Sequence, residues 1–225
     1  MITPTVHTYY RDNIPPPLVA AQARVFAHFD IPLKQWLDND LSHAQWLERM
    51  LSDPQDDGPV VIADIDAFPL SRAGFDRMVA VATSGALIGL SQVANHKDPT
   101  RIYAGPMFMA LPPTLYAGLG APGLERNDAQ DVAQALTDLS KEQGKAVELI
   151  PPRMAVQPKW ALSDQGLFGV GTFYGEMEFF HLFQSRKRNS VDLFCAVAAG
   201  TIAGHHDFQT YLDTMAPRKK LFGVF

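Results

Sequence analysis

Asp64-Ile65-Asp66 closes the apolar run Val60-Val61-Ile62-Ala63 and leads into Ala67-Phe68-Pro69-Leu70. A short apolar run bounded by turn chemistry reads as a buried strand. The motif therefore sets two carboxylates at the end of such a strand. Two bare carboxylates about 4 Å apart repel by roughly 4 kcal/mol at an effective dielectric near 20. A divalent cation between them reverses that sign. Carboxylate oxygens suit hard ions such as magnesium or manganese, which in turn bind phosphates. The competing reading is a strand terminus whose aspartates cap the next turn.

A second group of reactive side chains lies late in the chain. The glycine-rich Gly169-Val170-Gly171-Thr172-Phe173-Tyr174-Gly175 is followed by Phe179-Phe180-His181-Leu182-Phe183-Gln184-Ser185-Arg186-Lys187-Arg188. Read together they are a loop and a strand that present His181 and then cations. An imidazole can complete the coordination of a manganese-type ion. Arg186, Lys187 or Arg188 can neutralise a pyrophosphate, and the arginine fork is best suited to bidentate contact. Against this stand a histidine packed among aromatics and a solvated helix end.

The elements that must position these groups alternate in type. Thr5 to Tyr10 reads as a first strand, and Leu18 to Phe29 as a helix after Pro15-Pro16-Pro17. Ile31 to Leu33 reads as a short strand, and Trp36 to Leu51 contains a helix with Trp46, Leu47, Met50 and Leu51 on one stripe. The loop Asp53 to Pro59 delivers the chain into the Val60 strand. Gly74 to Thr83 reads as a helix and Ala86 to Leu90 as a strand. Arg101 to Leu111 is apolar and aromatic, interrupted at Gly105-Pro106. Asn127-Asp128 opens a helix in which Val132, Ala135, Leu136 and Leu139 fall on one face and which Gly144 stops. Val147 to Ile150 is a further strand, and Val191 to Ala203 a buried helix.

Strands alternating with helices imply an α/β sandwich with a mostly parallel, Rossmann-like central sheet flanked by helices. Ligands of such sheets bind beyond the carboxyl ends of the strands. Asp64 and Asp66 sit at such an end.

With 225 residues, the chain is expected to form one domain. It is 47% hydrophobic, enough for a sizeable core, and its net charge of -5 gives no basic field for nucleic acid. The single Cys195, in an apolar stretch, reads as a core residue and suits a reducing, cytoplasmic setting. Neither an N-terminal targeting segment nor a transmembrane run is visible. Nothing in the sequence speaks to oligomeric state.

An opening strand, an Asp-x-Asp after a buried strand near one third of the length, and a late His followed by basic residues resemble nucleotide-sugar-dependent glycosyltransferases of the GT-A fold. The resemblance runs roughly from Thr5 to Arg188. It implies a GT-A-like domain with a nucleotide-binding half over about 1–90, an acceptor and donor-sugar half over about 91–190, and a C-terminal helix and tail over 190–225. It implies a Mn2+ or Mg2+ ion held by Asp64, Asp66 and His181 on the pyrophosphate of a UDP- or GDP-sugar. The nucleoside falls to the first strand, at Thr8, Tyr9 and Tyr10. Gly105 belongs to the segment that lines the donor sugar, and Arg186 meets the pyrophosphate. The acceptor is a glycan or another hydroxyl compound. A carboxylate at a helix start facing the donor supplies the base of an inverting member. That points first to Asp131 and second to Asp128, both of which have a plain alternative as helix-capping residues. The chain lacks the Lys-Pro-Trp ending of some retaining members, so the stereochemical course stays open.

Two other readings use the same residues. A haloacid-dehalogenase-like phosphatase also carries Asp-x-Asp after a buried strand, with the first Asp as nucleophile. Such enzymes usually hold Thr or Val where this chain has Phe68. A non-catalytic nucleotide- or carbohydrate-binding module would use Trp36, Trp46, Trp160 and Tyr174 as stacking platforms.

Overall fold

A computed structural model describes residues 3–54, 58–94 and 97–216. The elements run β1 (Val6–Tyr10), α1 (Pro16–His28), β2 (Leu33–Leu37), α2 (His43–Ser52), β3 (Val60–Asp64), β4 (Ala67–Pro69), α3 (Arg72–Thr83), β5 (Leu87–Ala94) and β6 (Asp98–Leu111). They continue with α4 (Leu115–Gly118), α5 (Gln134–Glu142), β7 (Val147–Ile150), β8 (Pro152–Ala161), β9 (Leu167–Tyr174), β10 (Phe179–Leu182), α6 (Arg188–Ala203) and α7 (Phe208–Met215).

Six strands form one sheet in the order β2-β1-β3-β6-β5-β7. β1 pairs in parallel with β2 and β3, and β5 in parallel with β7. Only β6 runs against its neighbours β3 and β5. The expected mostly parallel central sheet with flanking helices is therefore present. A second sheet, β4-β10-β9-β8, is antiparallel throughout.

Burial on both faces explains the unbroken apolar run in β3. Val61 and Ala63 face a core that includes Leu18, Val25 and Phe26 of α1, Phe75 and Met78 of α3, and the aromatics of the small sheet. Val60 and Ile62 face the opposite core with Trp46 and Leu47 of α2 and Leu136 of α5. A strand covered on both faces has no solvent face to alternate with.

Several local expectations are corrected. The second strand is not Ile31 to Leu33 but Leu33–Leu37, and Trp36 lies in it rather than in the following helix. Its sequence, Leu-Lys-Gln-Trp-Leu, carries no strand alternation of apolar residues. Its place is fixed by register against β1 and by Trp36 Nε1 donating to His7 Nδ1 at 3.3 Å.

The helix expected to open at Asn127-Asp128 begins only at Gln134. Ala133 takes a left-handed φ of 60°, which breaks the first turn away from the helix. Asp131 stands just before that isolated turn and does not cap the helix. Its carboxylate accepts from Val132 N at 2.9 Å, and Gln134 Oε1 accepts from Asp131 N at 3.0 Å.

The glycine-rich 169–175 segment is mostly strand, not loop. Its glycines permit close packing: a Cβ on Gly171 would lie 2.9 Å from Leu193 Cδ2, and one on Gly169 2.8 Å from Gln157 O. Cys195 is half-buried on α6 and packs against the core edge rather than within it. Residues 55–57 of the expected loop and the tail from Pro217 lie outside the described residues.

Candidate metal centre

The chain crosses from the large sheet to the small one in the two residues between β3 and β4. Asp64 ends β3, Ile65 and Asp66 make the turn, and Ala67 begins β4. β10 pairs antiparallel with β4, with His181 opposite Ala67, and Leu182 N donates to Asp66 O at 2.8 Å. That register delivers His181 to the turn. Asp64, Asp66 and His181 offer ligand atoms that all lie within 4.8 Å of one another. His181 Nε2 stands 3.7 Å from Asp66 Oδ1.

Burial sets the protonation states. It pushes both Asp64 and Asp66 well above the usual carboxylate range, and the charge of Asp64 raises Asp66 further. A hydrogen bond from Ser185 and the nearby Arg186 pull Asp66 back in part. Burial also pushes the His181 imidazole down to about 3, so the ring is neutral at physiological pH. Its Nδ1 is buried and finds no hydrogen-bond partner among the described residues.

These residues fit a divalent cation. Two crowded carboxylates gain from a positive charge between them, and a neutral imidazole has a free lone pair to give. Two oxygens and one nitrogen form a donor set for a divalent cation, leaving positions open for a ligand.

A cavity of about 350 Å³ opens over this centre. Tyr9, Tyr10 and Arg11 line it from the end of β1, Asp64 to Asp66 from the end of β3, and Ser185 and Arg186 from the loop before α6. The chain passes from β1 to β2 on one side and later to β3 on the other, so strand order reverses at β1. The carboxyl ends flanking such a reversal are where open α/β sheets bind ligands.

The expected residues divide clearly. Asp64, Asp66, Tyr9, Tyr10 and Arg186 line the cavity. Tyr9 is held by its hydroxyl donating to Leu41 O at 2.6 Å, and Arg11 Nε donates to that hydroxyl at 3.0 Å. Thr8 is fully buried beneath the site, its Oγ1 donating to Ala63 O at 2.5 Å. Gly105 lies inside the sheet, where a Cβ would come 2.9 Å from Gln92 Cβ and 3.3 Å from Leu90 O. There β6 bulges, with Gly89 opposite Met109 but Leu90 opposite Gly105.

Asp131 lies near enough to the Tyr103 phenol to act on it electrostatically. Burial first, then Asp131 and more weakly Asp64, raises that phenol well above its ordinary value. Tyr103 therefore feels both carboxylates, but neither it nor Asp131 lines the cavity. Asp128 is exposed on a bend outside the cavity lining.

Of the residues that escaped the sequence reading, three act directly on the two aspartates. His43 Nε2 lies 3.3 Å from Asp64 Oδ1, and its ring stacks on Tyr9 at 5.8 Å. Burial depresses it to about 4, against a smaller upward pull from Glu125. The signal was available: Ser42 and Gln45 form a capping box that starts α2 and places His43 at its first position. Ser185 and the fully buried Gln22 carry no comparable sequence signature.

Among the described residues no helix is long and apolar enough to cross a membrane. No protein-family model and no curated protein matches the chain. Among solved structures, A197 from STIV is similar over 80% of this chain and 94% of its own, with a TM-score of 0.43 and 7% identity. A proposed glucose-1-phosphate thymidylyltransferase from Bacillus anthracis, solved with sucrose, is similar over 64% of this chain and 85% of its own. Its TM-score is 0.37 and its identity 8%. With likenesses this slight, the chemistry of the site rests on its own residues: an Asp-Asp-His centre at the carboxyl edge of an α/β sheet.

Proposed function

We propose that this chain is a metal-dependent glycosyltransferase, moving a sugar from a UDP- or GDP-linked donor to the hydroxyl of a glycan or similar acceptor. The observation that carries this reading is the convergence of Asp64, Asp66 and His181 beneath an open cavity with Arg186 beside it. The cavity volume of about 350 Å³ falls in the small-molecule range.

Asp64, Asp66 and His181 hold the cation. When bound, a Mn2+ or Mg2+ ion offsets the charge that develops on the departing nucleoside diphosphate. Arg186 meets the same pyrophosphate with its planar fork. Tyr9 and Tyr10 form the nucleoside wall, with Tyr9 stiffened by a mutual ring cluster with His43 and Trp46. Thr8 supports that wall from below through Ala63. Asp131 is the first candidate to take the acceptor's proton or bind its hydroxyl. Asp128 is the second.

The test is transfer from nucleotide sugars in the presence of manganese. Asp66→Ala and His181→Ala each abolish turnover while the circular-dichroism spectrum stays that of the parent. Unchanged turnover in both variants overturns the metal assignment. Release of phosphate from a generic phosphoester, without sugar transfer, supports the phosphatase instead.

A further inference from the structure

Gln22 is a fully buried polar residue in the middle of α1, a helix that contributes no residue to the cavity. Its side-chain Nε2 donates to Asp64 O at 2.8 Å and to Ala67 O at 2.9 Å. Those carbonyls stand at the two ends of the turn that carries Asp66. The same nitrogen lies 3.5 Å from Thr8 Oγ1, whose hydroxyl donates to Ala63 O. On the other side, Gln22 Oε1 accepts from Gln35 Nε2 at 3.0 Å, and that nitrogen also donates to Val19 O at 3.0 Å.

Carbonyl oxygens on one side and a side-chain NH2 on the other fix which way the amide faces. The need for it is topological. Where the chain leaves one sheet for another, its carbonyls lose their ladder partners, and buried carbonyls without partners are costly. Gln22 supplies the missing donors. The backbone of the turn is thereby tied inward to α1, while Asp64 and Asp66 line the cavity.

We propose that Gln22 is a positioning residue of the cation site: its side-chain amide ties the carbonyls of Asp64 and Ala67 together and so sets the turn that carries Asp66. This rests on the reading of Asp64, Asp66 and His181 as a metal centre. Groups that orient metal ligands from behind change affinity by about 10–100-fold when removed.

The experiment compares Mn2+ binding by titration calorimetry in the parent chain, Gln22→Met and Val25→Ala. Gln22→Met keeps the length and apolar packing of the side chain but removes both donated hydrogen bonds. Val25→Ala loosens the same helix from the same core, since Val25 is also fully buried, without removing a side-chain hydrogen bond. The expected result is a dissociation constant weakened about 10-fold or more in Gln22→Met and unchanged in Val25→Ala. Equal affinity in Gln22→Met and the parent overturns the proposal and leaves the metal centre standing. Equal weakening in both variants also overturns it, because general loosening then accounts for the loss. Absence of Mn2+ binding in the parent overturns the metal centre and the proposal together. Should Gln22→Met fail to fold, Gln22→Asn carries the same amide on a shorter arm and is read by the same criteria.

Discussion

Asp66 and His181 meet because two short strands pair: β10 lies antiparallel to β4 with His181 opposite Ala67, which leaves His181 Nε2 3.7 Å from Asp66 Oδ1. Both side chains are largely withdrawn from water, at 14% exposure for Asp66 and 8% for His181. Two partly buried acids and a buried imidazole at such range cost folding energy unless a ligand claims them. Sites that sacrifice stability for function gain stability when the functional group is removed.

Asp66→Asn accordingly makes the metal-free protein more stable, by on the order of 1 kcal/mol at neutral pH, since it removes an acid that the fold disfavours in its charged form. The same variant loses stabilisation by Mn2+. Chemical denaturation with and without the ion reads both effects. A less stable metal-free variant contradicts the electrostatic account.

The pH dependence of the metal-free protein follows from the same groups, with the sign fixed by which state holds more protons. Asp64 and Asp66 have raised values in the folded state, so their contribution is full below their unfolded value near 3.8 and is lost as pH rises through the folded values. His43 and His181 have depressed values, so their contribution is full above about 6.5 and is lost as pH falls. Between about pH 6.5 and about pH 8 only the aspartates of this site act, and stability falls as pH rises. Mn2+ reverses the trend, because it binds the deprotonated carboxylates and releases protons. Melting temperatures across this range, with and without Mn2+, check the crossing.

Gly105→Val tests whether that glycine serves the sheet or the sugar. A side chain there meets Gln92 Cβ, Met107 Cε and the Leu90 carbonyl at the bulge between β5 and β6. The expected cost is about 1–3 kcal/mol of stability, with nucleotide affinity of the folded fraction unchanged. Lost sugar-donor affinity at parental stability would return Gly105 to the donor site.

Much of the site was legible in the sequence because its parts are local. The Val60 to Ala63 run announces a buried strand, and Asp64 and Asp66 mark its end. His181 between aromatics was legible as a candidate, but its partner strand was not. β4 is only Ala67–Pro69, and its pairing with β10 is a contact between distant segments with no periodicity to betray it. The 169–175 segment looked like a loop because its glycines were read as turn residues. In the structure Gly169 and Gly171 answer to close packing against β8, α6 and Phe180, and only Gly175, with a φ of 60°, sits in a turn. The late start of α5 turns on Ala133, whose left-handed backbone no alanine propensity foretells. His43 is placed by a capping box the sequence does carry, but its contact with Asp64, like those of Gln22, is tertiary. A buried glutamine reads in sequence as an ordinary surface residue of a helix.

The most direct test of the central claim is thermal stability with nucleoside diphosphates and nucleotide sugars, each with and without Mn2+, in the parent chain and in Arg186→Ala. A ligand that binds only the native state raises its melting temperature. The account predicts that one nucleotide stabilises the parent only when Mn2+ is present, with a smaller shift in Arg186→Ala. Absence of a shift with any nucleotide, in Mn2+ or without it, contradicts the account.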